Sequence, residues 1–316
     1  MRDLSIIIVS WNVADLLAAC LDSILRSDVA LDDADGQRLS AEIIVVDSAS
    51  SDQTVAMLRE RYPQVRLAAQ TENVGFTRGN NLGLGLAEGR YVFLLNPDTE
   101  IIGDAIQQMI AYLDAHPDVG ILGPHTHNSD GTTQSSRRRF PTLATGFFES
   151  TWLQPFTPKA LLDRYYVRDA ADDATVDFDW VQGSALLARR AVYEQIGGLD
   201  EGYVMFSEEL DWCKRAQLAG WRVVYLGSAH ITHHGGKSTE QVVARKHIHF
   251  QESKLRYYRK YHGALAAHAL RLFLLINYGW QIVLEAAKAL LGHKAALRRE
   301  RIDAYWRVLR SGLRVH

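Results

Sequence analysis

Two hydrophobic periods alternate over roughly the first 120 residues. Leu4 to Val9 is an apolar, β-branched run with the texture of a strand covered on both faces. Leu16, Leu17, Cys20, Leu21, Ile24 and Leu25 then recur at helical spacing, which predicts a helix over 15–26. Glu42 to Val46 reads as a second buried strand ending in Asp47. Ser51 or Asp52 caps a following helix that carries Val55, Leu58 and Tyr62. A shorter strand is expected at 65–68, a helix at 80–88, a fourth strand at 91–95 and an amphipathic helix at 104–116. Strands alternating with helices imply right-handed βαβ units, hence an α/β fold with a mostly parallel sheet.

In such sheets functional groups collect beyond the carboxyl ends of the strands. Here those ends read Ser10-Trp11-Asn12, Asp47-Ser-Ala-Ser-Ser-Asp52 and Asn96-Pro97-Asp98, so three strands deliver polar groups to one rim. No Gly-x-Gly-x-x-Gly follows the first strand and no Walker lysine motif is present, which argues against a dinucleotide site and a P-loop.

The second half adds further chemistry. Residues 125–139 form a polar stretch ending in Arg137-Arg-Arg139, which reads either as a solvated loop or as a lid whose guanidinium groups meet diphosphate oxygens. Trp180-Val-Gln-Gly183 leads through Gly197-Gly-Leu-Asp-Glu201 to Glu208, Glu209 and Asp211, three carboxylates within four residues. Neighbouring like charges resist burial, so the cluster is either the acidic first turn of a helix or a place where acids do chemistry. Beyond about residue 264 the chain turns leucine- and isoleucine-rich. Its uncharged core, 272–284, is shorter than the ~20 residues a spanning helix needs. Seven Lys or Arg against two acids follow between Lys294 and Arg314. This end reads either as helices lying on an anionic membrane surface or as a hairpin packing on the rest of the chain or on a second subunit of a homodimer.

Composition narrows the class without naming it. The chain has 316 residues, 47% hydrophobic and 23% charged, with formal net charge −2. That suits a globular protein with a sizeable core and gives no support for a nucleic-acid partner. The two cysteines, Cys20 and Cys213, lie in helical patterns and read as reduced thiols. The N-terminal segment reads as a first strand, without a cleavage site.

Eight segments in order carry a resemblance over residues 3–262: Ile7-Ile-Val-Ser-Trp-Asn12, Val45-Val-Asp-Ser-Ala-Ser-Ser-Asp52, Asn73-Val-Gly-Phe-Thr-Arg-Gly-Asn-Asn81, Leu95-Asn-Pro-Asp98, Trp180-Val-Gln-Gly183, Gly197-Gly-Leu-Asp-Glu201, Glu208-Glu-Leu-Asp-Trp-Cys213 and His233-His-Gly-Gly-Lys-Ser238. Together they resemble inverting glycosyltransferases of family 2 with the GT-A fold, and within them the bacterial rhamnosyltransferase type. The resemblance implies a nucleotide-sugar donor, a divalent ion (Mg²⁺ or Mn²⁺) across its phosphates, and one carboxylate base for the acceptor hydroxyl. It implies Asp98 as metal ligand, in a motif that carries Asn96 where relatives have a second aspartate, and hence a weaker or more substrate-dependent metal site. His233 would complete that site with His234 as its rival; adjacent residues on an extended segment point to opposite faces, so at most one of them should ligate.

The same resemblance places Ser10, Asn12 and Asp47 at the nucleoside, with Asn73, Gly75, Arg78 and Asn96 lining the donor side. Gly75 and Gly79 would let the backbone approach the donor, and Arg78 would either meet phosphate or lie solvated. Trp180, Gln182 and Gly183 form an expected acceptor floor. The base aligns with Glu209, where relatives more often carry aspartate, and Glu208 and Asp211 remain rivals. The expected organisation is a catalytic GT-A domain over 1–262, its donor half about 1–124 and its acceptor half about 125–262, followed by a helical region over 263–316. The expected reaction moves one sugar, rhamnose from dTDP-rhamnose ahead of a UDP- or GDP-sugar, onto a glycan or lipid-linked acceptor at the inner face of the cytoplasmic membrane. A sugar-phosphate nucleotidyltransferase and a non-catalytic nucleotide-sugar-binding module are the competing readings.

Overall fold

The computed structural model describes residues 2–27, 29–31, 38–149, 151–235, 243–292 and 294–315. Its strands, in chain order, are β1 (Leu4–Ser10), β2 (Val29–Ala30), β3 (Leu39–Asp47), β4 (Arg66–Ala69), β5 (Tyr91–Leu95), β6 (Thr99–Ile101), β7 (Val119–His127), β8 (Thr133–Gln134), β9 (Arg137–Arg138), β10 (Thr175–Asp177), β11 (Trp180–Val181), β12 (Ala185–Arg189) and β13 (Arg222–His233). The chain separates into two units, one of residues 1–140, 166–201 and 208–238, the other of residues 141–165, 202–207 and 239–316.

The first unit is built on one mixed sheet ordered β10-β13-β7-β12-β5-β1-β3-β2, with β4 on β3, β6 on β13 and β8 on β7. β1 sits between β3 and β5 and runs parallel to both, and β7 runs parallel to β13. β12 enters antiparallel between β5 and β7 and joins the two parallel halves. One face of the sheet packs on the helices Ala14–Arg26, Thr54–Arg61 and Ala105–Ala115. The other packs on Gly75–Leu86, Arg190–Ile196 and Glu208–Leu218. Cover on both faces is why the strands read as apolar runs: Ile6, Ile7 and Ile8 are all fully buried. Cys20 and Cys213 are buried free thiols.

Two expectations for this unit change. The helix expected at 80–88 begins at Gly75, inside the glycine-rich segment whose composition argues against helix. Gly79 faces β1, where a Cβ would come within 2.8 Å of Val9 Cγ1. The missing side chain at Gly79 thus lets the helix press on the strand, rather than giving a ligand access. The stretch 125–139 is also no free lid. β7 runs on to His127, and Arg137 is buried, donating to Asp172 Oδ1 at 2.5 Å and to the carbonyls of Ala170 and Ala171. Arg137 also lies over the Tyr225 ring, Arg138 over Tyr166, and Arg139 pairs with Asp179. These guanidinium groups tie the segment to its own unit.

The second unit is helical, with helices Leu143–Phe148, Lys159–Tyr165, Val243–His262, Ala264–Leu290 and Ala295–Ser311. It begins earlier than the boundary at 262 expected from sequence, because the helices Leu143–Phe148 and Val243–His262 pack with the C-terminal helices. Tyr258 Oη donates to Thr142 O at 2.5 Å, and Lys254 Nζ meets Glu149 Oε2 at 3.2 Å. Glu285, buried on the longest helix, accepts from Arg298 at 2.6 Å and from Lys288 at 3.4 Å. That helix leaves Leu265, Leu272, Ile276, Trp280 and Val283 exposed along one stripe. No described helix is long and apolar enough to cross a membrane.

Candidate active site

The carboxyl ends of β1 and β3 carry the first part of the site. Ser10 and Asp47 are register partners on these parallel strands, both buried. Ser50 N donates to Asp47 Oδ2 at 3.0 Å, while Asp47 Oδ1 and Ser10 Oγ are buried without a partner. Two unpaired polar atoms on adjacent strand ends are costly unless something arrives to pair them. Asn12, in the left-handed region at φ 52°, fixes the turn around them: its Oδ1 accepts from Ser51 N at 2.8 Å and its N–H donates to Ser50 Oγ. Asn73 closes the other side, its Oδ1 accepting from Ser48 Oγ at 3.0 Å and from Gly75 N at 2.9 Å. Gly75 takes φ +75°, which starts its helix at this turn. Arg78 is placed apart from these groups in one respect: more than half exposed, it pairs with Glu201 at 3.8 Å, a surface pair of small energetic weight.

The second part lies where β5 ends and β13 arrives. Asp98 Oδ1 and His233 Nε2 face each other at 3.3 Å, both nine-tenths buried. Asn96 Nδ2 lies 3.5 Å from the same His233 nitrogen, and Asn96 Oδ1 is buried without a partner. Gln134 Oε1 holds His233 Nδ1 at 2.7 Å, which leaves Nε2 directed at Asp98. His234 turns to the opposite side and bonds Glu100 Oε1 at 2.8 Å and Ser129 Oγ at 2.8 Å. The geometry therefore separates the two histidines. A carboxylate oxygen and an imidazole nitrogen 3.3 Å apart are near the ~3 Å edge between adjacent ligands of an ion with ~2.1 Å bonds, and the Asn96 amide that faces His233 carries a buried oxygen without a partner. The residues fit a divalent ion. In the expected His233-to-Ser238 motif, Gly236, Lys237 and Ser238 lie outside the described residues.

The carboxylates following Gly197-Gly-Leu-Asp-Glu201 open the helix Glu208–Leu218, directly after Phe206 and Ser207 at φ 70° and 66°. Two consecutive non-glycine residues in the left-handed region mark a strained entry, the kind of strain that collects at functional sites. Glu209 Oε1 accepts from Gly183 N at 3.2 Å, and its Oε2 is buried without a partner. The next residue, Ser184, accepts from Asn96 N at 2.9 Å through its carbonyl. Glu209 and the Asn96-Pro97-Asp98 end thus bracket one short turn, Gln182-Gly183-Ser184. Gln182 N donates to Ser136 O, and its Oε1 is a further unpaired buried oxygen. Trp180 is half-buried with its Nε1 on Arg139 O at 3.0 Å. Asp211 stands elsewhere: fully buried, it pairs with Arg215 at 2.8 Å, and Arg215 also donates to Ile196 O and Gly198 O. Asp211 locks the helix to the preceding turn.

Electrostatics separates the two remaining acids. Burial raises the carboxyl of Glu208 well above the ordinary range, and the adjacent Glu209 charge raises it further. Burial also raises Glu209, but the backbone N–H groups of its own helix start and of Gly183 oppose that rise. Both carboxyls are thus held above the ordinary glutamate range, Glu208 by burial and the neighbouring charge, Glu209 by burial against opposing backbone N–H groups. A buried acid raised in this way destabilises the fold once pH exceeds its unfolded value, and the penalty is complete above the folded value. Glu208→Gln should accordingly raise the melting temperature at pH 8 by about 2–4 °C, the shift that ~1 kcal/mol gives in a domain of this order of size. The gain should vanish near pH 4; a variant no more stable than wild type at pH 8 contradicts the assignment.

Three supporting residues escape a reading of motifs alone. Gln134 aims His233, Ser184 joins Asn96 to the Glu209 turn, and Asn81 clamps the glycine pair by accepting from Leu199 N at 2.8 Å and donating to Leu199 O at 2.9 Å. A Cβ on Gly198 would collide with Asn81 Oδ1, which explains that glycine. Only Asn81 had a visible signal, its place at the end of a glycine-rich motif.

Comparison with known proteins identifies the family and the fold. The model of the family described as glycosyl transferase family 2 matches residues 5–191. An N-acetylglucosaminyl-diphospho-decaprenol L-rhamnosyltransferase of Mycobacterium tuberculosis is 32% identical over 208 residues, which is 62% of this chain and 67% of that protein. Rhamnosyltransferase WbbL of Escherichia coli is 28% identical over 194 residues, 58% of this chain and 69% of its own. Among solved structures, a Pyrobaculum calidifontis mannosyltransferase in complex with GDP-Man and Mn²⁺ superposes with TM-score 0.57 at 19% identity, covering 98% of this chain and 86% of that one. TarS of S. aureus gives TM-score 0.52 at 17% identity, and there the match spans 87% of this chain but 43% of that one. The family model covers more than half of the sequence and the neighbours share the architecture: the chain belongs to glycosyl transferase family 2, and it is a nucleotide-sugar-dependent glycosyltransferase of GT-A fold.

Proposed function

We propose that the protein transfers one L-rhamnosyl unit from dTDP-rhamnose to a hydroxyl of a lipid-linked glycan, with inversion at the anomeric carbon. The names of the two rhamnosyltransferase relatives support the sugar, and the first of them supports a lipid diphosphate acceptor. The observation that carries the reading is the turn 182–184, with Glu209 bonded to Gly183 and the Asn96 end bonded to Ser184. It supports reading the two sides of one short segment as a base and a donor-phosphate site.

In this reading Ser10 and Asp47 pair their free oxygens with the nucleoside of the donor. Asp98, His233 and the side-chain oxygen of Asn96 would hold a divalent ion, Mg²⁺ or Mn²⁺. When bound, such an ion neutralises charge on the diphosphate leaving group. Trp180 and Gln182 support the acceptor ring, and Glu209 takes the proton of its hydroxyl as that oxygen attacks opposite the leaving diphosphate. Glu208, holding its own proton, keeps a second negative charge away from the base. The test is transfer and thermal stabilisation across dTDP-rhamnose, UDP-GlcNAc and GDP-mannose, with Mn²⁺ and with chelator. A metal-dependent response to dTDP-rhamnose alone is expected; a response only to the UDP- or GDP-sugar overturns the donor assignment.

We also propose that the helical unit rests on an anionic membrane surface. The exposed stripe from Leu265 to Val283 and the basic composition of 294–314 support it. Leu272→Glu with Trp280→Glu should reduce co-sedimentation with phosphatidylglycerol vesicles at least about tenfold, since both side chains bury apolar area there. Undiminished sedimentation of the double variant contradicts the surface assignment.

A further inference from the structure

A second group of ligating side chains lies on the first unit, outside the site above. His125 and His127 are two apart on β7 and share a face, and the pairing sets His230 of β13 beside His125. The register of β13 shifts between Leu226 and His230, an irregularity of the kind that re-aims a side chain. The His125 and His127 rings stack with centroids 4.3 Å apart, and the His230 ring lies 5.1 and 5.2 Å from them. One ring nitrogen from each lies within 4.8 Å of the others. His127 Nε2 and His230 Nδ1 are 3.0 Å apart. His125 is buried; its Nε2 bonds Thr133 Oγ1 at 3.0 Å, and its Nδ1 is left with no partner at all.

We propose that His125, His127 and His230 form a binding site for a borderline-soft divalent cation such as Zn²⁺, distinct from the Asp98–His233 pair. Three imidazoles without a carboxylate favour Zn²⁺, Ni²⁺ or Cu²⁺ over the hard ions that suit phosphate chemistry. Ligand nitrogens on a tetrahedral Zn²⁺ stand about 3.3 Å apart, from bonds of ~2.0–2.1 Å. The His127–His230 pair, at 3.0 Å, lies near that spacing, and the His125 nitrogen stands within 4.8 Å of both. With Nε2–H donating to Thr133 Oγ1 as the outer hydrogen bond, His125 has its unpartnered Nδ1 left to ligate. In the metal-free protein His127 and His230 share one N–H between their facing nitrogens. On binding, that proton moves to the other nitrogen of its own ring, so no proton is lost. Thr133 and Tyr225, which touch His125, also line a cavity of about 430 Å³. Strand alternation puts the trio on the face of β13 opposite His233, three residues further on. A bound ion therefore staples β7 to β13 just before the strand delivers His233.

The test is Zn²⁺ binding to the full chain by competition with a chromophoric chelator, in a His233→Ala background that removes the other histidine site. One equivalent of Zn²⁺ should bind, and His127→Gln with His230→Gln should weaken it at least about 100-fold, since even outer-shell partners are worth 10–100-fold. The thermal response of that double variant to Mn²⁺ plus donor, in an otherwise wild-type chain, should stay unchanged. Absence of a Zn²⁺ equivalent in the background protein, or its full retention in the double variant, overturns the site.

Discussion

Replacing Glu209 by glutamine lowers kcat by about 10²–10⁴-fold, the contribution of a positioned general base. Donor affinity stays within about twofold. Glutamine preserves the acceptor that Oε1 offers to Gly183 N, so the 182–184 turn keeps its shape while Oε2, now an amide, no longer takes a proton. Glu209→Asp tests the reach of the group. Shortening the side chain by one methylene withdraws the carboxylate by about 1–1.5 Å and removes the Gly183 bond, so partial activity is expected. Steady-state kinetics on the acceptor, with donor binding by calorimetry, separates the outcomes. A Glu209→Gln enzyme with wild-type turnover would exclude this acid as the base.

Asp98→Asn acts on the other side of the turn. It keeps the backbone carbonyl that accepts from His234 N but removes the only carboxylate paired with His233 among the described residues. Stabilising charge on a leaving diphosphate is worth several kcal/mol, so kcat/KM should fall about 10²–10³-fold. Unlike Glu209→Gln, this variant should also lose the difference in donor affinity between Mn²⁺ and chelator. Donor titrations under both conditions check it, and an undiminished Mn²⁺ effect would place the ion elsewhere.

Much of this arrangement is legible in the chain because strand ends are punctuated by polar residues. Ser10, Asp47 and Asp98 each follow an apolar run, and the sheet can only present them at one rim. The adjacent histidines were separable in principle by strand alternation, and the structure assigns His233 to Asp98 and His234 to Glu100. What resisted reading depended on tertiary packing. The helix from Gly75 runs through residues that weaken an isolated helix, and it is held because Gly79 fits against Val9. Arg137-Arg-Arg139 looks like a solvated charge run until Asp172, Asp179, Tyr166 and Tyr225 arrive from distant segments. Asp211 shares its four-residue cluster with Glu208 and Glu209, and only the position of Arg215 reveals that it braces the helix. The helical unit recruits 141–165 through Tyr258 and Lys254, long-range bonds with no local signature.

The central claim is that Glu209, raised by burial against the opposing pull of backbone N–H groups, takes the acceptor proton. The pH dependence of kcat/KM tests it most directly. A base must be unprotonated to act, so activity should fall on the acid side through a value above the ordinary glutamate 4.5, and the residual activity of Glu209→Gln should lose that limb. An acid limb unchanged in the variant would show that another group takes the proton.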